Sequence, residues 1–308
     1  MQVIRHLERW ERRFRSPVAT LGNFDGVHRG HQEILSRVVS QARESGREAV
    51  LITFFPHPTS VLAPSRAPAA LGSLGERLER FREAGVDVVV LQHFTRAFAA
   101  LEADEFIERY LVRRLEVAKV VIGHSVNFGR ARGGNARTLT EAGARLGFAV
   151  EVVGPVKVDG IAVSSTAVRE RLAAGEPVVA SRLLGRAYAV EGRVVRGDRR
   201  GQGLGFPTAN VRPRTEVLVP DGVYAVRLRW NGDRRNGVAN VGRNPTFGQG
   251  RARTLEAHLF DFAGELYGRA LRVEFVDRLR GEMKFASPQQ LVDQIREDVA
   301  RAREVLEA

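Results

Sequence analysis

The chain has 308 residues, 44% of them hydrophobic, with 48 lysines and arginines against 36 aspartates and glutamates and a net charge of +12. That length suggests two domains with real cores, or one large α/β domain. The absence of cysteine excludes disulfides, thiolate metal sites and cysteine nucleophiles. Any metal must take oxygen or imidazole ligands, which favours Mg2+ held together with phosphates or a His-rich site. No apolar run is long enough to cross a bilayer, and the opening MQVIRHLERWERRFR carries charges where a secretory leader needs apolar residues. A cytoplasmic enzyme, without a membrane, is the expectation. The positive charge suits anionic substrates or nucleic acid. It is interleaved with acids, however, as in ERLERFRE (76–83) and REDVARARE (296–304), which read as solvated helix faces.

In the first half, short apolar runs alternate with amphipathic stretches. Strands are expected over Val18–Phe24, Ala49–Phe55, Val86–Gln92, Ala118–Gly123 and Ala149–Val153. Helical spacing covers Gln32–Glu44, Gly75–Glu83, Asp104–Leu115 and Leu139–Leu146, with Ile34, Leu35, Val38, Val39 and Ala42 on one face of the first. Ser73 and Glu76 have the spacing of a capping box. The alternation predicts an α/β domain with a parallel, doubly wound sheet and a ligand beyond the C-terminal strand ends.

After Leu183 the pattern becomes extended and turn-bounded: Tyr188–Arg196, Val223–Trp230, Gly237–Val241, Leu255–Phe260 and Leu271–Leu279. Asn231-Gly232 marks a tight hairpin, and a small β-barrel would close such strands. A terminal helix follows, with Ser287 as cap, Pro288 in the first turn, Gln290 completing a capping box, and Leu291, Ile295, Val299 and Ala302 on its apolar face. The boundary falls within 176–186, giving domains 1–184 and 185–308.

The first chemical signal is Gly22-Asn23-Phe24-Asp25-Gly26-Val27-His28-Arg29-Gly30-His31. A strand ending at Phe24, a glycine-containing turn and a helix beginning near His31 would direct backbone N–H groups at phosphate oxygens. His28 and His31 could donate to phosphate as charge shifts in a transition state. The same residues also suit a plain turn with surface histidines. Far downstream lies Ser164-Ser165-Thr166-Ala167-Val168-Arg169, whose hydroxyls could do no more than cap a helix. The pair HxGH and SSTxxR resembles the nucleotidylyltransferase superfamily. The resemblance implies that both segments hold ATP, that Arg169 helps neutralise the displaced pyrophosphate, and that attack on the α-phosphorus is direct.

Thr53-Phe54-Phe55-Pro56-His57-Pro58 resembles the TFxPHP segment of bacterial FAD synthetases and implies flavin contacts from Pro56, His57 and Pro58. Gly123-His124-Ser125-Val126-Asn127-Phe128-Gly129 occupies the place of a further family loop. It departs from the family at Ser125-Val126, with Asn127 as the candidate polar contact.

In the C-terminal part, Gly203-Leu204-Gly205-Phe206-Pro207-Thr208-Ala209-Asn210 combines glycines that admit phosphate with two oxygen-bearing side chains two residues apart. Asp221-Gly222-Val223-Tyr224, Gly237 to Gly242, Asn244-Pro245-Thr246-Phe247, Leu255 to Phe262 and Leu279 to Phe285 follow. Together they resemble riboflavin kinase. That resemblance implies that Gly203 and Gly205 line the ATP site, that Thr208 and Asn210 hold Mg-ATP, and that Glu256 is the general base. Without it, Glu256 reads as a solvated strand residue.

From about Val18 to the terminal helix the chain resembles the bifunctional bacterial riboflavin kinase/FAD synthetases. The implied reactions are riboflavin plus ATP to FMN, then FMN plus ATP to FAD, with magnesium at each site and no nucleic-acid partner. Alternatives are a kinase whose first site has decayed at Ser125-Val126, an adenylyltransferase for another phosphorylated substrate, and a basic nucleic-acid-binding protein. Oligomeric state stays open, a homo-oligomer included.

Overall fold

The computed structural model describes every residue except 6, 8, 9, 11, 12, 198–202, 244–252 and 308, so the Asn244–Phe247 motif lies outside the described residues. The chain divides into two compact units, one of residues 1–68 and 74–163 and one of 69–73 and 164–308.

The first unit contains β1 (Gln2–Arg5), β2 (Val18–Leu21), β3 (Ala49–Phe55), β4 (Val88–His93), β5 (Lys119–Gly123), β6 (Asn127–Phe128), β7 (Gly134–Asn135), β8 (Ala149–Val153), β9 (Lys157–Val158) and β10 (Ile161–Ala162). Six of these form one sheet in the order β1-β4-β3-β2-β5-β8, with every neighbouring pair parallel. Its helices are α1 (Arg29–Glu44), α2 (Pro58–Leu62), α3 (Leu74–Glu83), α4 (Arg96–Ala99), α5 (Ala103–Phe106) and α6 (Ala136–Leu146). Alternate residues of β3 feed two cores. Val50, Ile52 and Phe54 join Phe106, Leu111 and Leu139 on one face. Ala49 and Leu51 join Leu35, Val38 and Phe81 on the other. A strand buried on both faces must be apolar throughout, which is why AVLITFF reads as a continuous run.

The expected doubly wound sheet is therefore present, with local differences. β2 stops at Leu21, because Phe24 adopts left-handed φ/ψ of 50° and 34° and turns its ring into the core. β1, too short to signal itself, adds an edge beside β4. The helix expected over Asp104–Leu115 begins as α5 and continues over Ile107–Arg114 with wider i to i−5 bonding, as in Leu115 N–H to the Tyr110 carbonyl.

The second unit opens with α7 (Ser165–Ala173) and α8 (Pro177–Leu184) and continues into a closed barrel. Its strands are β11 (Tyr188–Val195), β12 (Ala209–Pro213), β13 (Gly222–Trp230), β14 (Asp233–Arg243), β15 (Arg253–Leu259) and β16 (Ala270–Arg280), closing in the order β11-β12-β15-β14-β13-β16. The Asn231-Gly232 hairpin is present: Trp230 pairs with Asp233, and φ is 46° and 89° at the two turn residues, as a type I′ turn requires. The terminal helix (Pro288–Glu307) covers the outside of β13 and β14 through Val223, Ala225, Val238, Ala302 and Leu306. Ser287 Oγ accepts from Gln290 N–H, while Gln290 Oε1 reaches back to Ala286 N–H, one residue earlier than in a regular capping box. β12 was not among the expected strands, and it carries Asn210.

The two charge-alternating runs are not wholly solvated. Glu76, Arg77 and Asp298 are buried. Helical spacing places two charges of the first run and one of the second on the packed side, and local alternation does not reveal which.

Candidate functional site

In the first unit the glycine-containing turn joins β2 to α1. Gly22 N–H donates to the Ile52 carbonyl at 3.1 Å, and Phe24 packs edge-on against Phe81. Gly26 and Val27 carry positive φ, so the chain reverses tightly before the helix. His28 is its N-cap: Nδ1 accepts from His31 N–H at 3.3 Å. An accepting Nδ1 leaves the proton on Nε2, so His28 can donate to a ligand through Nε2 alone. The two imidazoles stack at 3.6 Å and 16°. A Cβ on Gly30 would lie 3.3 Å from the His28 ring, so the absence of a side chain there makes room for the stack. Burial, with help from His28 and Arg77, holds the His31 pKa well below 6.5. His31 is thus a neutral hydrogen-bonding group, with Nδ1 buried and unpartnered.

The elements behind this turn are β3 and α3. The Asn23 carbonyl accepts from Thr53 Oγ1 at 3.2 Å and from Arg77 Nη1 at 2.8 Å. Arg77 was hidden in the ERLERFRE run. Its one sequence signal is its position four residues before the buried Phe81, on the same helix face.

The remaining first-unit candidates have local partners. His57 caps α2, its Nδ1 accepting from Thr59 N–H at 3.2 Å, with Pro58 in the first turn. The peptide before Pro56 is cis. Asn127 is exposed, pairs with Asn135 across β6 and β7, and donates to the Ser125 carbonyl at 2.9 Å. Gly129, with φ of 71°, passes 2.8 Å from the Ala103 backbone when given a Cβ, so this loop requires glycine there.

The SSTxxR segment falls in the second unit. Ser164 caps α7, with Oγ accepting from Ala167 N–H at 3.1 Å, and Arg169 Nε donates to the Ala69 carbonyl at 2.7 Å. Ser165 and Thr166 occupy its first turn.

The barrel brings three polar residues into one row. Asn210 on β12 pairs with Glu256 on β15, which pairs with Asn240 on β14. Leu255, Ala257 and Leu259 point into the barrel, so Glu256 lies on the outer face with Thr254 and His258. Gly197 passes so close to Asn210 that a Cβ there would collide with the amide. His258 Nδ1 donates to the Pro207 carbonyl at 2.8 Å and packs edge-on with Phe206, tying the Gly203–Asn210 segment to β15. Gly205 has φ of 85°, and a Cβ on either Gly203 or Gly205 would meet no atom within 4 Å. Asn240 was read only as part of a motif; its membership in the row depends on register.

Nearby motif residues support the barrel. Arg253 bridges Asp221 and the carbonyls of Val217 and Val219. Tyr224 donates to the Pro220 carbonyl at 2.7 Å, and burial pushes its phenol up to about 12. A cavity of about 660 Å3 is lined in part by Arg234, Arg235, Phe260 and Arg303, at the hairpin end of β14. Asn240 and Glu256 are not among its lining residues. Among the described residues no cluster of three His, Asp or Glu could hold a metal alone. Thr208 and Asn210 nevertheless offer the neutral oxygens that suit magnesium when substrate phosphates complete its shell.

Comparison with known proteins gives consistent matches. The FAD synthetase family profile matches residues 11–167 and the riboflavin kinase profile residues 184–306. A bifunctional riboflavin kinase/FMN adenylyltransferase of Pseudomonas fluorescens is 43% identical over 304 residues, covering 98% of this chain and 97% of the relative. Its counterpart in Escherichia coli strain K12 is 42% identical over 288 residues, covering 93% and 92%. A crystal structure described as a macrolide-efflux protein from Streptococcus pneumoniae matches with a TM-score of 0.87 and 30% identity, covering 98% and 99%. No helix among the described residues of the present chain is long and apolar enough to cross a membrane.

Proposed function

Since the chain belongs to the bifunctional riboflavin kinase/FMN adenylyltransferase family, and so converts riboflavin to FMN and FMN to FAD, we propose how its residues divide that work. The kinase reaction runs on the outer face of the barrel. The riboflavin 5′-hydroxyl oxygen attacks the γ-phosphorus of ATP, its proton passes to Glu256, and ADP leaves. Thr208 and Asn210 would hold magnesium with the ATP phosphates, and the ion would neutralise charge on the phosphoryl oxygens. The observation that carries this reading is the cross-strand pairing of Asn210 with Glu256, which sets a proton acceptor beside an oxygen ligand for Mg-ATP. Gly203 and Gly205 leave room for phosphate to approach the backbone.

Adenylyl transfer uses the turn of the first unit. An FMN phosphate oxygen attacks the α-phosphorus of ATP, and the bond to the bridging oxygen breaks to release pyrophosphate. Backbone groups of Gly22–Asp25, the gap at Gly30, His28 Nε2 and neutral His31 receive the phosphates. Support comes from the left-handed turn, the histidine stack and the helix N-terminus. For Ser164, Ser165, Thr166 and Arg169 as ATP and pyrophosphate ligands, and for Pro56, His57, Pro58 and Asn127 as flavin contacts, the support is the motif. The same ground supports an adenylyltransferase domain of 1–184 and a kinase domain of 185–308.

The enzyme is further proposed to act in the cytoplasm on flavins and ATP, free or as a homo-oligomer, without nucleic acid. Many arginines are engaged in ion pairs, such as Arg43 with Asp87 and Arg272 with Glu191, which lowers the charge they offer to a polyanion. A chromatographic time course with riboflavin, ATP and magnesium, run beside one starting from FMN, tests the scheme. FMN followed by FAD is expected. If supplied FMN gives no FAD, the assignment of the first site fails while that of the barrel stands.

A further inference from the structure

Arg77 has no place in the reaction as described, yet it is 9% exposed and lies directly behind the first-unit turn. A guanidinium is costly to bury without compensation, and an apolar residue would suit a purely packing position. Burial lowers its pKa and Asp25 opposes that shift, so the site accommodates a charge against a desolvation cost.

Its donors explain the position. Nη1 donates to the Asn23 carbonyl at 2.8 Å, and Nη2 to the Phe54 carbonyl at 3.4 Å. Asn23 belongs to the turn proposed to receive ATP. Phe54 introduces the Pro56–Pro58 loop proposed to receive the flavin. One rigid, planar fork therefore ties together the backbones of two substrate loops on different strands. Thr53 Oγ1 takes a second position on the Asn23 carbonyl, and Phe81, one turn along α3, supports Phe24.

We infer that Arg77 is a positioning residue for adenylyl transfer, fixing the nucleotide turn and the flavin loop in relation to each other through the carbonyls of Asn23 and Phe54. This rests on the proposed reading of the first site. In-line transfer depends on how the nucleophile and the α-phosphorus are held, and a displacement of about 1 Å can cost about a hundredfold in rate. Lysine cannot reproduce the effect, because a single ammonium lacks the fixed fork that spans both carbonyls.

The test uses Arg77→Met and Arg77→Lys in the full chain. FAD formation from FMN is measured with FMN formation from riboflavin in the same preparation, the latter reporting an intact barrel. The expected result for Arg77→Met is a fall in kcat for FAD formation of about a hundredfold, with KM for ATP and FMN changed less than about threefold. Arg77→Lys is expected to lose about tenfold, and it carries the test alone if Arg77→Met does not fold. FMN formation stays unchanged. A normal kcat with only a lowered unfolding midpoint is the mark of a merely structural residue and overturns the inference, as does a loss confined to KM. His31→Ala in the same series separates the two levels. If it leaves FAD formation intact, the site reading itself fails. If it abolishes FAD formation while both Arg77 variants keep a normal kcat, only the positioning role fails.

Discussion

Asp298→Ala should unfold the barrel far more readily than Asp261→Ala, although both remove an aspartate paired with arginine. Asp298 and Arg280 expose 7% and 17% of their side chains, and three contacts of 2.7 to 3.0 Å join them in a forked pair. Arg280 is also bonded to the Gly281 carbonyl and lies over the Phe285 ring, so it anchors the segment after β16 to the terminal helix. Removing the buried carboxylate leaves a largely covered guanidinium without its counter-ion, a loss of about 3 kcal/mol, at the lower end for buried pairs. Asp261 and Arg303 are 75% and 42% exposed, where water already screens the charges, so their pair contributes little to stability. The assay is urea unfolding followed by Trp230 fluorescence in a Trp10→Phe background, which leaves the one barrel tryptophan as reporter. A 3 kcal/mol loss also corresponds to a melting shift of roughly 10 °C for a unit of this size. The reasoning is refuted if Asp298→Ala costs less than about 1 kcal/mol, or if Asp261→Ala costs as much.

Glu256→Ala should lower FMN formation by about 10²- to 10⁴-fold while FAD formation from supplied FMN continues; loss of both reactions in a folded variant would contradict the assignment. His31→Ala should impair FAD formation and spare the kinase, as measured by the two time courses. With its folded pKa depressed by burial, His28 and Arg77, His31 takes up a proton more readily in the unfolded chain below about pH 6.5. Stability of the first unit is therefore full above that pH and falls as pH drops below it; His31→Asn should flatten this decline in unfolding curves at pH 7.5 and 5.5. Chelation of divalent cations should stop FMN formation and magnesium should restore it; full activity after chelation would remove Thr208 and Asn210 as metal ligands.

Much of the architecture was legible because it is written in local periodicities. Apolar runs separated by amphipathic stretches identify the parallel sheet, Asn231-Gly232 supplies the two left-handed residues of a hairpin, and Ser287 with Gln290 begins the terminal helix. The motifs likewise locate His28, His31, Asn210 and Glu256. The strand expected to Phe24 ends at Leu21, because Gly22-Asn23 and the left-handed backbone at Phe24 form a turn that the apolar Phe24 side chain conceals.

What only the tertiary structure decided depends on pairing between distant segments. The row of Asn210, Glu256 and Asn240 exists because three strands meet in one register, and a shift by one residue would turn Glu256 into the barrel. Charge alternation by itself identified a helix face but not its burial: Arg77 is covered because Phe24 and the β3 backbone lie against α3, and Asp298 because Arg280 reaches it from β16. The sequence thus determined the chemical groups and most of the elements that carry them, β12 excepted. Packing decided which charges lose their water, and that loss makes a carbonyl clamp of one arginine and a buried ion pair of another.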